Sequence, residues 1–255
     1  MNVRILATSD VHSPHHLGEF KDSLASIDHV DVALLAGDMV DGGRVEYYRV
    51  ILDLLKGKAD SIIAVPGNEE YDEKLRGLRG LNGMILLNDE EVVVNNVRVI
   101  GSRGILDRPT KWQERNVKNI GEVYRRRGDW LISRLRGLRG AILLTHYSPT
   151  YATLEGEDEA NYPFLGTRRL EDALSTARVL AIHGHAHRSR VRCVRLGEST
   201  VVNVAFEGAG SPFIIDYSNG AVNIIEPDEY RECREVKVEG KVKGARSMGL
   251  DEWLK

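Results

Sequence analysis

The chain has 255 residues, 42% of them hydrophobic and 29% charged, with a formal net charge of −3 at pH 7. That length holds one large α/β domain or two small ones, and the apolar content excludes a disordered chain. The near-neutral balance gives no global basis for a nucleic-acid or membrane surface, and no apolar run reaches the roughly 20 residues of a membrane span.

The first β-like run, Val3–Thr8, follows Met1 too closely to leave room for the apolar stretch of a signal sequence, so a soluble, cytoplasmic protein is expected. Similar runs recur at Val32–Ala36, Ile62–Val65, Met84–Leu87, Glu91–Ile100, Ala141–Thr145, Val179–Ile182, Val191–Leu196, Thr200–Ala205, Phe213–Tyr217 and Ala221–Ile225. Between them the spacing predicts helices over Leu17–Ile27, Val45–Leu55, Trp112–Leu135 and Leu170–Ala177. In the second helix, Val45, Tyr48, Ile51, Leu52 and Leu55 fall on one stripe. Early strands alternating with helices predict a mainly parallel first half. Ser218-Asn219-Gly220 is a hairpin signal, and the hairpin-rich late region predicts an antiparallel second sheet. Pro227 closes this body, so residues 1–226 read as one domain and 227–255 as a charged extension. In that extension Val236-Lys237-Val238 suggests an edge strand, and Leu250, Trp253 and Leu254 are expected to dock on the body. The two cysteines, Cys193 and Cys233, are too few for a disulfide framework and are expected as reduced thiols.

The chemistry lies at the ends of these runs. Asp10 and His12 are two apart just past a strand, and on a continuing strand they would share a face. Asp38 follows the next run, where α/β sheets place ligands, and its two carboxylate oxygens make it the candidate to bridge two cations. Asp41 reads as a helix cap or as a residue behind the ligands, and Glu70 as another of the latter kind. Asn68 can supply a neutral oxygen or simply make a turn. His146, His185 and His187 follow later strands. Carboxylate, amide and imidazole together suit a pair of divalent cations.

In order, Asp10-Val11-His12, Gly37-Asp38-Met39-Val40-Asp41, Gly67-Asn68-Glu69, His146 and Gly184-His185-Ala186-His187 resemble the signature D-x-H, G-D-x-x-D, G-N-H-[DE], H and G-H-x-H. That is the signature of the calcineurin-like metallophosphoesterase superfamily, matched over roughly residues 3–187. The resemblance implies a four-layer α/β/β/α sandwich with two facing mixed sheets. It implies two divalent metal ions, drawn from Mn, Fe, Zn, Ni and Co, with Mn favoured in vitro. Asp10, His12, Asp38 and His187 would hold the first; Asp38, Asn68, His146 and His185 would hold the second. His15, His16, His29 and His183 match no ligand role.

The pattern breaks at Glu69, where the family has a His near the leaving group. Two cations would keep Glu69 ionised, so it would orient a ligand or water rather than donate a proton. A carboxylate there opposes a doubly charged monoester more than a singly charged diester. The expected activity is hydrolysis of phosphate esters by a metal-activated hydroxide, biased to diesters of a small, nucleotide-like substrate, with Asp38, Asn68 and Glu69 at the catalytic centre. Arg103 and Arg168 are candidate phosphate clamps or solvated arginines, and Tyr147–Gly166 reads as a substrate-shaping rim. One alternative is a metal-dependent nuclease on single-stranded nucleic acid, whose basic groove could come only from Arg125–Arg127. Another is a non-catalytic protein-binding scaffold, which would tend to lose ligands that this chain keeps. Oligomeric state is not legible.

Overall fold

A computed structural model describes residues 2–237. The strands in chain order are β1 (Val3–Thr8), β2 (Val30–Leu35), β3 (Ala59–Ala64), β4 (Ile85–Leu86), β5 (Glu90–Val94), β6 (Val97–Ser102), β7 (Arg139–Thr145), β8 (Arg178–His183), β9 (Cys193–Leu196), β10 (Ser199–Asn203), β11 (Phe213–Ser218), β12 (Ala221–Glu226) and β13 (Arg234–Val236). The helices are α1 (Leu17–Ser23), α2 (Val45–Leu55), α3 (Leu75–Arg79), α4 (Lys111–Asn116), α5 (Ile120–Leu135), α6 (Tyr162–Leu165), α7 (Glu171–Thr176) and α8 (Phe206–Ala209).

The strands form a six-stranded sheet, ordered β12-β11-β1-β2-β3-β4, and a seven-stranded sheet, ordered β13-β9-β10-β8-β7-β6-β5. Strands β1 to β4 run parallel, and β11 and β12 add antiparallel. In the other sheet β6, β7, β8 and β10 are parallel, β5 is antiparallel to β6, β9 is antiparallel to β10, and β13 is parallel to β9. Side-chain alternation explains why both faces are apolar. Val3, Ile5 and Ala7 of β1 enter a central core shared with Ile142, Leu180 and Val202 of the second sheet. Leu6, Ala33 and Leu35 point the other way, onto Phe20 of α1 and Tyr48, Ile51 and Leu55 of α2. Leu131 and Leu135 of α5 and Leu174 of α7 cover the outer face of the second sheet. The layers are therefore helix, sheet, sheet and helix.

Several expectations change. The late hairpin does not build the second sheet. Its strand β11 pairs with β1, Val3 opposite Tyr217 and Ala7 opposite Phe213. Phe213, Ile215 and Tyr217 thereby reach the central core, and the edge of β1 is covered. The long helix over Trp112–Leu135 is two helices. A capping box between Thr110 and Gln113 starts α4, and Asn119, left-handed at φ 54°, breaks the chain before α5.

The cysteines are also corrected: Cys193 and Cys233 form a disulfide, with Cα atoms 4.6 Å apart. Beyond Pro227 the chain returns as β13, parallel to β9, and the disulfide fastens it there. Val238 and the apolar Leu250, Trp253 and Leu254 lie outside the described residues. The bridge closes a loop of 40 residues, worth about 4 kcal/mol in the chain-entropy account. Reduction, or Cys233→Ser, is expected to lower the melting temperature by about 5–15 °C, read by circular dichroism. A transition unmoved by reductant would show that the bridge contributes nothing in solution.

Candidate metal centre

Each ligand candidate follows the carboxyl end of a parallel strand. Asp10 and His12 follow β1, Asp38 follows β2, Asn68 follows β3, His146 follows β7, and His185 and His187 follow β8. Neighbouring parallel strands end on one edge, so the two sheets bring these residues to one place. Two groups result, Asp10 with His12 and His187, and Asp38 with His146 and His185. Within each group one ligand atom per residue lies within 4.8 Å of the others. Asn68 joins the second group, its Oδ1 3.0 Å from His146 Nε2.

The local backbone is not a continuing strand. Asp10, His12, Asp38 and His185 all have left-handed conformations, φ 55°, 46°, 50° and 69°. Such conformations cost on the order of 1–3 kcal/mol each in a non-glycine residue. Hydrogen bonds hold them: Asp10 N donates to Gly37 O at 3.0 Å, and His12 N to Asp38 O at 3.0 Å. His185 N donates to Asp10 Oδ2 at 2.9 Å. Asp10 and His12 therefore converge through a turn rather than through strand periodicity.

Each of the four imidazoles spends one nitrogen on a protein oxygen that can only accept, so that nitrogen carries the hydrogen. His12 Nδ1 donates to Asp41 Oδ1 at 3.1 Å. His146 Nδ1 donates to Ala36 O at 2.9 Å, and His185 Nε2 to Phe164 O at 3.3 Å. His187 Nδ1 pairs with Glu207 Oε2 at 2.6 Å. At His146 and His187 the other nitrogen faces the carboxylates, Nε2 3.3 Å from Asp38 Oδ2 and 3.1 Å from Asp10 Oδ1, where it gives up any proton to bind a metal. His12 Nε2 is buried and has no hydrogen-bond partner in the protein. Beside it, Asp10 and Asp38 are almost wholly buried carboxylates. An orphaned imidazole lone pair beside two buried anions is what a cation would complete, so the residues present fit divalent metal ions.

The electrostatics of the protein alone agree. Burial by itself would raise the Asp10 pKa, but the hydrogen bond to His187 and nearby imidazole charge hold it well below the usual carboxylate range. Burial would lower the His146 pKa, but Asp38 and Asp10 overcome it and push it up to about 9. Burial, then the charge of His146, lowers His185 to about 4. In the metal-free protein His146 thus supplies the countercharge that cations would supply.

The remaining predicted residues are distributed unevenly. Glu69 lies beside the second group, its backbone N donating to Asp38 Oδ1 at 2.8 Å. Its carboxylate accepts from Gly42 N at 3.2 Å. Glu70 is buried and organises the loops, accepting from Asp38 N at 2.8 Å, Val40 N at 3.3 Å and Gly67 N at 2.7 Å. Asp41 holds both His12 and His15, the latter at 2.8 Å. Arg103 is no free phosphate clamp: it is fastened to Asp72 at 2.8 Å and to Glu70 O at 2.7 Å. Arg168 is not brought to the centre. It lies over the Tyr151 ring at 5.1 Å and lines a separate cleft that none of the ligand candidates borders. His183 is buried and bonded to Thr153 Oγ1 at 2.8 Å, so Tyr147–Gly166 supports histidines as well as forming a surface. Ser9, which donates to Asp10 Oδ2 at 2.5 Å, and Glu207 were missed by sequence reasoning. For Glu207 the available signal was its position just past the end of β10.

Residues behind metal ligands typically contribute 10–100-fold to metal affinity. Asp41→Asn and Glu207→Gln are each expected to weaken Mn²⁺ binding by about that factor, measured by calorimetric titration. Unchanged affinity in both would show that these carboxylates do not orient His12 and His187 for metal.

The sequence model of the calcineurin-like phosphoesterase family matches residues 3–189. No curated protein matches the chain. Among solved structures it resembles phosphopantetheinyl hydrolase from Mycobacterium tuberculosis, with 18% identity over 79% of this chain and 88% of that one, at a TM-score of 0.55. It also resembles the protein TT1561 of Thermus thermophilus, with 18% identity over 88% of this chain and 98% of that one, at a TM-score of 0.60. At these identities the likenesses are of fold. The family match, in contrast, spans most of the sequence and every ligand candidate, and the chain belongs to the calcineurin-like phosphoesterase family.

Proposed function

We propose that this metal-dependent phosphoesterase holds two divalent cations and hydrolyses small, nucleotide-like phosphodiesters. Asp10, His12 and His187 would hold one cation and Asn68, His146 and His185 the other, with Asp38 shared between them. When bound, such a pair supplies Lewis acidity toward phosphoryl oxygens and lowers the pKa of water toward neutrality. The protein's own part is to orient ligands. The observation that carries the reading is the same at all four imidazoles: one nitrogen fixed by Asp41, Ala36 O, Phe164 O or Glu207, the other left for a metal.

The diester preference rests on Glu69. Its backbone is tied to Asp38 and its carboxylate to the loop at Gly42, which keeps a negative group beside the centre. A phosphate monoester brings one more negative charge past it than a diester does. With saturating Mn²⁺, an aryl phosphate diester is expected to give the higher kcat/KM than the matching monoester. Glu69→His is expected to raise monoester turnover. A large monoester preference in the native chain would overturn the bias while leaving the phosphoesterase intact.

The nuclease alternative draws little from the structure. Arg125 pairs with Glu122 and Asp129, Arg126 with Glu122, and Arg127 with Asp89, so this run forms no uncompensated basic groove. Among the described residues no helix is long and apolar enough to cross a membrane. The proposal keeps a cytoplasmic location, which together with the Cys193–Cys233 bridge requires a hyperthermophile-type source, because disulfides are otherwise rare in that compartment.

A further inference from the structure

A cavity of about 510 Å³ opens beside the second ligand group, with Asn68 and His185 at one end. Its size is that of a site for one organic group. Leu106, Val117, Ile120 and Val123 give it apolar walls. Three cations line it, and acids offset them: Arg103 pairs with Asp72 at 2.8 Å, Arg127 with Asp89 at 2.8 Å, and Glu69 and Glu73 share the lining with Lys118. The chamber therefore offers little to a second phosphate and much to an uncharged, flat group.

Its rim is aromatic. Trp112 stacks on Tyr71 with ring centroids 5.8 Å apart and planes 25° apart. Trp112 is 54% exposed, and it is the one aromatic among the exposed large apolar side chains of the described residues. A stacked, half-open indole at the edge of an apolar chamber is a platform for a further ring.

The platform is also held at a fixed place relative to the metal ligands. Gln113, next to Trp112, donates through Nε2 to Tyr147 OH at 2.9 Å. The Tyr147 ring lies 4.9 Å from that of His185. The capping box at Thr110 fixes the start of α4. A group bound against Trp112 is thus in register with a phosphate at the ligand groups.

We infer that this chamber is the binding site for one ester arm of the substrate, and that the arm is an aromatic or similarly flat, uncharged group such as a nucleobase. The inference rests on the phosphoesterase reading and narrows its substrate class. It assigns Trp112 and Tyr71 the role of specificity determinants.

The test compares two monoanions that carry no ester bond to cleave, diphenylphosphinate and dimethylphosphinate, by calorimetric titration of the Mn²⁺-loaded protein. The native chain is expected to bind diphenylphosphinate at least about fivefold more tightly. In Trp112→Ala that ratio is expected to fall to about two or below. Trp112 is exposed, so its loss leaves the core intact. Val123→Trp, which fills the chamber from α5, is expected to abolish the difference by a separate route. A native ratio near one, or a ratio that neither variant changes, overturns the inference. Hydrolysis of bis(p-nitrophenyl) phosphate is measured alongside. Turnover without aryl selectivity sinks the chamber and spares the phosphoesterase. Aryl selectivity without turnover sustains the chamber and sinks the hydrolytic reading.

Discussion

Asp38→Asn is expected to reduce kcat/KM for an aryl phosphodiester by at least about 10³-fold, more than the roughly 10–100-fold that follows loss of a residue behind a ligand. Asp38 is buried, and its two oxygens face different ways: Oδ1 accepts from Glu69 N at 2.8 Å, and Oδ2 lies 3.3 Å from His146 Nε2. Asparagine has the same size and tolerates the left-handed backbone at φ 50°. It keeps one acceptor for Glu69 N and turns the other oxygen into an NH₂ group, which cannot bind a cation. The substitution therefore removes ligand charge without removing shape. The corresponding physical readout is thermal. Mn²⁺ at about 1,000 times its dissociation constant stabilises a one-site protein by roughly 4 kcal/mol, a rise that chelation reverses. The native chain is expected to show this rise and Asp38→Asn to show far less of it. An Asp38→Asn variant that keeps its metal response and loses less than tenfold in activity would remove Asp38 from the centre.

Much of this site is legible in the sequence because ligand chemistry is encoded by residue type and by position after an apolar run. Strand ends can be read from β-branched runs, and parallel strands place their carboxyl ends together, so Asp10, Asp38, Asn68, His146 and His185 can be grouped before any coordinates exist. What is not legible is the backbone that aims them. The types Asp and His permit a left-handed backbone at Asp10, His12, Asp38 and His185 without announcing it, because glycine is the usual mark of that conformation. The supporting carboxylates divide in the same way. Asp41 is close to His12 in sequence and could be anticipated, whereas Glu207 reaches His187 only through the pairing of β10 with β8. The disulfide is hidden for a related reason: its cysteines are 40 residues apart and meet because β13 adds parallel to β9. The late hairpin is visible as a hairpin, but its sheet is not, since partner choice depends on which edge is left open. Arg168 shows the weakness of placing an arginine by loop proximity alone, because its cleft is bordered by none of the ligand candidates.

Gly67→Ala and Gly184→Ala are expected to damage activity almost as severely as loss of a ligand, although neither residue belongs to a ligand group. Neither needs a left-handed backbone; both are held to glycine by what lies against them. A Cβ on Gly67 would meet Asp38 Oδ1 and Asp38 N, and one on Gly184 would meet Ser9 Oγ and Asp10 Oδ2. The two carboxylates that anchor the ligand groups thus pack directly on glycine backbone. Asp38 cannot retreat, because Glu69 N and Glu70 fix it from behind, and Asp10 is fixed by Ser9 and His185 N. Overpacking of this kind costs about 1–3 kcal/mol, or roughly 3–10 °C of melting temperature in a chain this long. A displacement near 1 Å in a catalytic group can cost about 10²-fold in rate, so a drop of at least that size is expected in both variants. Gly121→Ala is the control. Gly121 lies in α5, nothing stands within 4 Å of its added Cβ, and alanine there is expected to stabilise the helix by about 0.5–1 kcal/mol with activity retained. Native kcat/KM and Mn²⁺ affinity in both Gly67→Ala and Gly184→Ala would show that the carboxylates have room that this packing denies them.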